Sequence, residues 1–311
     1  MTQPAHKLAI VIPTIGREAE LRRMLTSLVA QTRRPDQVII VDEDGCTRAS
    51  ADEFPQLDIT VIVLPGSASA KRNAGPKAAR PETTLIGFMD DDIVLGQQAI
   101  ENLLRFWETA MEGLGGTSLN WANAPALFAA RLKSLRLTSR LGLYQRGVGM
   151  VLPSGFHTHA ANLPQSAYVQ WLPSGAVVFL RKVLEEFCFD EWFAGYGYLE
   201  DLDFSYRVGK KYRLAVVADA HFYHYPSRIG RPSGYLFGKK EVLNRLYFVS
   251  KHRELSPFLC CLALSVRGGI SMFLGLTRLD GYSLWRLAGN IAGFLSVLRH
   301  GDLLCVANKS V

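Results

Sequence analysis

Along the first hundred residues the apolar positions alternate between two spacings. Lys7–Ile12 (KLAIVI), Gln37–Val41 (QVIIV), Ile59–Leu64 (ITVIVL) and Thr84–Met89 (TLIGFM) are short, nearly continuous apolar runs. Such runs predict strands buried on both faces. Between them, Leu21, Met24, Leu25, Leu28 and Val29 recur at helical spacing, as do Ile100, Leu103, Leu104, Trp107 and Met111 further on. Each set forms one apolar stripe on a helix. Ser69–Ala79 reads as a further helix that Gly75-Pro76 should end or distort. Strand–helix alternation of this kind predicts an α/β fold, a mainly parallel mixed sheet with helices on both faces.

The second half is less regular. Residues 113–166 carry Gly, Asn and Pro, and no Asp or Glu occurs between Glu112 and Glu185. That stretch reads as a variable insertion over the active site, and Arg131, Lys133, Arg136, Arg140 and Arg146 make it basic. Tyr168–Leu180 then predicts a strand, Arg181–Phe187 a short helix, Glu200–Lys211 a helix and Arg213–Val217 a strand. Two apolar segments follow, Pro257–Leu276 and Leu284–Leu298. In the first, nine Leu, Ile, Phe or Val residues at about −0.3 to −0.6 kcal/mol each are offset by Arg267 at about +2.5 to +3.5 kcal/mol, so spanning is not secured. The second is too short to span. Contact in the plane of a membrane is the preferred reading, with a helical pair docked on the protein as the alternative. The expected domains are residues 1–230, catalytic, and 231–311, a helical C-terminal extension that associates with membranes.

Composition narrows the class. The chain has 311 residues, is 48% hydrophobic and 20% charged, which suits a folded globular protein. Cys46, Cys188, Cys260, Cys261 and Cys305 lack CxxC spacing, so zinc ribbons and thioredoxin-like pairs are not supported, and free thiols in a reducing cytosol are expected. The apolar run at Leu8–Ile12 is too short for a secretory signal. Residues 205–311 carry 16 Lys/Arg against 5 Asp/Glu, whereas residues 1–204 carry 19 against 23. A basic tail behind an acidic head suggests an anionic surface, and without a nucleic-acid motif a membrane face is the expected partner.

Acids gather where the strands end. Asp42-Glu43-Asp44-Gly45 follows the second strand, Asp90-Asp91-Asp92 follows the fourth, and Glu200-Asp201-Leu202-Asp203 opens a helix ahead of His221 and His224. In open α/β sheets ligands bind beyond the carboxyl ends of the strands. Adjacent carboxylates repel, and a divalent cation is the usual remedy. Oxygen ligands with at most one imidazole suit Mg²⁺ or Mn²⁺ better than zinc, and Mg²⁺ is typically shared with substrate phosphates. Other readings stay open: Asp201 could be a helix N-terminal acid paired with Arg207, and His224, among Phe222, Tyr223 and Tyr225, could be a core histidine.

The ordered series VIPT (11–14), Arg17, VIIVDEDG, KRNAG (71–75) and FMDDD resembles the opening of the inverting family 2 glycosyltransferases with the GT-A fold. WLPSGAVVFLRKVLEEFCFDE (171–191) resembles the acceptor-side segment of that family, Glu200–Asp203 with Arg207 its ED helix, and ADAHFYH (218–224) its strand ending in histidine. The resemblance covers about residues 8–253. It implies transfer of a sugar from a nucleotide-sugar donor to an acceptor hydroxyl; the basic C-terminal part and its apolar segments add the expectation of a cytoplasmic protein peripheral on the inner face of a membrane, a position that suits a lipid-linked as well as a saccharide acceptor. The resemblance also implies that Pro13, Thr14, Arg17, Asp42, Arg72, Asn73, Asp90 and Asp91 bind the nucleotide sugar, and that Gly175 and Glu200 lie on the acceptor side. Asp90, Asp92 and His224 would hold the metal, and Asp201 would be the general base. The chain departs from the family pattern at Asp44, at Asp91, where a small polar residue is usual, and at Tyr198-Leu199 before the acidic pair. A nucleotidyltransferase and a catalytically silent nucleotide-sugar-binding protein are the alternatives.

Overall fold

A computed structural model describes residues 6–125, 136–140, 142–144, 147–195, 197–227 and 229–299. In chain order the elements are β1 (Leu8–Pro13), α1 (Glu18–Val29), β2 (Gln37–Asp42), α2 (Arg48–Asp52), β3 (Ile59–Val63), α3 (Ala68–Ala74), β4 (Leu85–Met89), β5 (Ile93–Leu95), α4 (Ala99–Thr109) and β6 (Leu114–Trp121). There follow α5 (Arg136–Arg140), β7 (Ala167–Val169), β8 (Ala176–Leu180), α6 (Arg181–Glu186), α7 (Glu200–Gly209), β9 (Arg213–His224), α8 (Gly234–Ser250), α9 (Pro257–Thr277) and α10 (Gly281–Arg299). They form two compact units, Met1–Pro125 with His159–Gly230, and Ala126–Thr158 with Arg231–Val311.

The first unit is built on a nine-stranded mixed sheet in the order β3-β2-β1-β4-β8-β6-β9-β5, with β7 also paired to β9. β1, β2, β3 and β4 pair in parallel, Val11 facing both Ile39 and Phe88. β8 runs antiparallel to β4 and β6, while β9 is parallel to β6. The core lies on both faces of the sheet. Leu8, Ile10 and Ile12 pack with the α1 stripe of Leu21, Met24, Leu25 and Leu28 on one side. Ala9 and Val11 join Phe88, Phe179, Phe189 and Phe204 on the other. This two-sided burial is why the strands read as continuous apolar runs.

Several expected elements change on folding. The strand expected over Tyr168–Leu180 is two strands, because Pro173 cannot donate to a ladder and the chain turns at Ser174-Gly175. The helix expected over Ser69–Ala79 stops at Ala74 and tightens into a 3-10 turn over Gly75–Ala78. The strand expected to end at Val217 continues to His224 as β9. Within the stretch read as an insertion, Leu114–Trp121 is a buried strand of the sheet. Arg131, Lys133 and Arg146 lie outside the described residues, as does the side chain of Arg136.

In the second unit, α8, α9 and α10 pack together. Ser233 and Ser256 cap α8 and α9 by accepting from the Leu236 and Leu259 backbone N–H groups. A Cβ on Gly238 would collide with the Arg286 carbonyl, and one on Gly289 with the Tyr235 carbonyl. These glycines let the backbones of α8 and α10 approach closely.

Candidate active site

β1, β2, β4 and β9 all finish at one edge of the sheet, and antiparallel β8 begins there. That edge therefore collects Thr14, Asp42, Asp90–Asp92, Gly175 and His224 from positions spread over more than two hundred residues. The Asp90 N–H donates to the Gly175 carbonyl at 3.0 Å. The preceding Ser174 N–H donates to Asp201 Oδ2 at 3.3 Å. One turn thus joins the acids after β4 to the first turn of α7.

Arg72 links the same two groups through its side chain. It is buried, donates to Asp90 Oδ1 at 2.9 Å and pairs with the carboxylate of Glu200. Ser69 Oγ donates to the other Glu200 oxygen at 2.9 Å. Burial pushes the Glu200 and Asp90 carboxyls upward, and the Arg72 guanidinium opposes that shift at both. Glu200 is thus committed to Arg72 and Ser69. Leu199, just before it, sits in the left-handed region at φ 74°, a strained conformation of a kind concentrated at functional sites.

Asp201 is half-buried and, among the described residues, has no cation on its oxygens: they accept from the Ser174 and Leu202 N–H groups. Arg207 pairs with Asp203 at 3.0 Å, so the alternative of an Asp201–Arg207 pair is not what forms. Burial pushes the Asp201 carboxyl up, the two backbone N–H groups and Arg72 pull it down, and the net direction is upward.

On the other side of Asp90, Asp91 accepts from Thr14 Oγ1 at 2.7 Å and from Arg17 at 3.0 Å. Its carboxyl is pushed up to about 6, chiefly by burial, with Asp92 and Asp90 adding repulsion against the pull of Arg17 and Thr14. Arg17 also donates to the Ile229 carbonyl at 2.6 Å, while its buried Nε has no hydrogen-bond partner among the described residues. Asp92 Oδ1 lies 2.9 Å from His224 Nε2, and its Oδ2 accepts from the Ser227 N–H at 3.0 Å. Burial raises the Asp92 carboxyl, but His224, the Ser227 N–H and Arg17 outweigh it and hold it low. Asn123 fixes the end of β9 by bonding both backbone groups of His224. His224 is only partly buried, beside the Trp121 ring at 5.5 Å, and is not a core histidine.

Asp42 is fully buried and accepts from the Glu43 and Thr47 N–H groups and the Thr47 hydroxyl. Asn73 staples the segment after α6: it donates to the Phe189 carbonyl and to Glu191, and accepts from the Phe189 N–H. Lys71, given no role by the sequence, is buried and donates to Glu43 at 2.5 Å and to the Thr14 carbonyl at 2.8 Å. The signal was its place in KRNAG beside Arg72. Pro13 ends β1 within the same edge.

By donor type the carboxylates of Asp90 and Asp92 with the His224 imidazole suit a hard divalent cation, although both Asp92 oxygens are already engaged, by His224 and by the Ser227 N–H. Three consecutive carboxylates stand with one imbalance visible, Asp91 holding its proton to about pH 6, and one imidazole on Asp92. A second group, Asp42, Asp44 and Cys46, has ligand atoms within 4.8 Å of one another. Its donor set differs in kind: it includes a thiol, that of Cys46, which hydrogen bonding to Asp44 pushes up to about 11, and the Asp42 oxygens, like those of Asp92, are engaged.

Sheet order, strand-end acids and the acid-bearing helix define a GT-A fold. Its solved relatives in shape include S. aureus TarS in complex with UDP-GlcNAc, with a TM-score of 0.54 and 16% identity over 97% of this chain and 79% of that one. Another is the mannosyltransferase PcManGT from Pyrobaculum calidifontis in complex with GDP-Man and Mn²⁺, with a TM-score of 0.52 and 16% identity over 97% and 77%. Residues 9–129 match the model of glycosyl transferase family 2. An uncharacterized glycosyltransferase of Haemophilus influenzae is 31% identical over 103 residues. That match takes in 32% of this chain and only about a third, 34%, of the relative's length.

Proposed function

We propose that the chain is an inverting glycosyltransferase that moves a sugar from a nucleoside-diphosphate sugar to an acceptor hydroxyl, in making a polysaccharide, glycolipid or related envelope glycan. The observation that carries this reading is the Ser174-Gly175 turn, which holds Asp90 by one residue and Asp201 by the next. It sets an acid suited to the donor side beside a carboxylate suited to the acceptor side. The solved relatives in complex with UDP-GlcNAc and GDP-Man support a nucleotide-sugar donor.

In this mechanism Asp201 takes the proton of the acceptor hydroxyl as that oxygen attacks the anomeric carbon. Its upward-shifted carboxyl and lack of a cationic partner suit a general base, a contribution of about 10²–10⁴-fold. Attack from the face opposite the departing diphosphate inverts the anomeric centre. Asp90, Asp92 and His224 would hold Mg²⁺ or Mn²⁺, which when bound stabilises the charge growing on the leaving diphosphate. Thr14, Arg17, Asp42 and Asp91 line the nucleotide side together with Pro13, while Arg72 and Asn73 build the floor beneath the sugar. Gly175 lies on the acceptor side next to Asp90, where a Cβ would make only ordinary contact, 3.7 Å, with Asp90 Oδ2. Glu200 fixes Arg72 at that side.

The acceptor is a saccharide or a lipid-linked sugar, and the protein works in the cytoplasm with peripheral contact to the inner face of a membrane. The excess of Lys and Arg after residue 205 supports attraction to anionic headgroups, which high salt would weaken. Incubation with Mn²⁺ and a panel of UDP-, GDP- and dTDP-sugars tests the reading: release of nucleoside diphosphate with glycosylation of an added acceptor supports it. Release of pyrophosphate would instead mark a nucleotidyltransferase.

A further inference from the structure

α9 and α10 form an antiparallel hairpin, since Gly275 meets Leu284 and Gly268 meets Leu287. Its inner side packs on α8, and its outer side carries Phe258, Met272 and Phe273 on α9, and Trp285, Ile291 and Leu295 on α10, all exposed. Between Pro257 and Leu298 the only charged residues are Arg267, Arg278, Asp280 and Arg286. Arg278 and Asp280 lie in the turn between the helices. Arg286 forms a bidentate pair with Glu241 of α8 at 2.6 and 2.9 Å, and its guanidinium lies over the Phe237 ring. Arg267 lies 3.6 Å from the same carboxylate, which Asn290 also contacts at 3.2 Å. Glu241 is buried, and the two arginine side chains are 12% and 15% exposed.

Arg267 was the residue that offset the apolar character of this segment in sequence. In the folded unit its charge faces Glu241 and not the outer face. What remains outside is a two-helix apolar surface without a charge along its length, larger than the scattered apolar residues normal on soluble proteins. Among the described residues, charges occur only at its ends: Arg278 and Asp280 at the turn, and Arg253, Glu254 and Arg299, all three exposed, at the open end of the hairpin. Long basic side chains at the margins of an apolar face can reach anionic headgroups while the face enters the acyl layer.

We propose that the outer face of the α9–α10 hairpin lies immersed in the acyl layer of one membrane leaflet, with the Glu241–Arg286–Arg267 cluster turned away from lipid. This rests on the membrane-contact reading and deepens it: it names the face that enters and makes burial among the chains, and not attraction at the headgroups, the holding interaction. Immersion of this kind persists in high salt, which headgroup attraction does not.

The test uses the full chain and vesicles of phosphatidylcholine and phosphatidylglycerol whose acyl chains carry bromine, a contact quencher of tryptophan. Trp285 emission, taken as the difference between wild type and Trp285→Phe, is expected to be quenched and to stay quenched in 1 M salt. Phe273→Lys with Ile291→Lys, both at exposed positions, should weaken vesicle binding by about tenfold or more. Binding to anionic vesicles with unquenched Trp285 would overturn the inference while leaving the membrane-contact reading standing. Binding to no vesicle would overturn both. A lipid-free dimer in light scattering that shields Trp285 would assign the face to a second copy and overturn immersion.

Discussion

His224 Nε2 lies 2.9 Å from Asp92 Oδ1, joining the last residue of β9 to the third acid after β4. The two are 132 positions apart, and the same strand end is clamped by Asn123. If this pair forms part of a cation site, Asp92→Ala should abolish metal-dependent nucleotide binding. His224→Ala should weaken Mn²⁺ by about 10–100-fold, the usual cost of disturbing a group that orients or adds to a ligand set. Calorimetric titration of Mn²⁺ in the presence of UDP or GDP measures both. Unchanged affinity in Asp92→Ala would place the cation elsewhere.

Asp91 gives a pH signature. With its carboxyl near 6, the apo protein at pH 6 holds about half a proton there, which a nearby divalent cation drives off. Mn²⁺ binding should therefore release protons at pH 6 and almost none at pH 8, where Asp91 is already ionised. Calorimetry in buffers of different ionisation enthalpy reads the number directly, and Asp91→Asn should remove most of it. Equal release at both pH values would contradict the assignment.

Much of this edge was legible in the chain because buried parallel strands announce themselves as apolar runs, and the residue after each run is fixed at the carboxyl edge. Asp42 and Asp90–Asp92 are found that way. β5 and β7 were not, since three residues set no period and their pairing depends on β9, far away in sequence. Nor could local pattern show that Asn73 would bind Phe189 or that Arg17 would be held by Asp91, because side-chain partners are decided by tertiary approach. Arg267 is the clearest case: as a sequence it is a charge in an apolar segment, and in the fold it is compensated by Glu241.

Arg72 is expected to matter for stability as well as for activity. Arg72→Met would leave Asp90 and Glu200 without their shared cation, and breaking such a buried pair costs about 3–5 kcal/mol. Arg72→Lys keeps the charge but cannot reproduce the two-armed geometry, so it should fall between. Urea unfolding of the three proteins, without metal, provides the ranking. An Arg72→Met protein as stable as wild type would show that the carboxylates do not depend on it.

Asp201 should separate binding from chemistry. Asp201→Asn preserves shape and can still accept from the Ser174 N–H, so donor affinity should survive while kcat falls by about 10²-fold or more. The acid limb of the wild-type kcat/KM profile should lie above pH 3.8, in the direction burial shifts this carboxyl. Donor binding that collapses together with turnover would mean that Asp201 holds the donor or the fold.

The anomeric configuration of the product tests the central claim most directly. With Mn²⁺ and the nucleotide sugar that the panel selects, proton NMR of the newly formed glycosidic linkage reads the coupling at the anomeric carbon. The account predicts that an α-linked donor sugar appears as a β-linked product from the first turnovers onward. A product that retains the donor's configuration, or transfer that proceeds undiminished in EDTA, would contradict it.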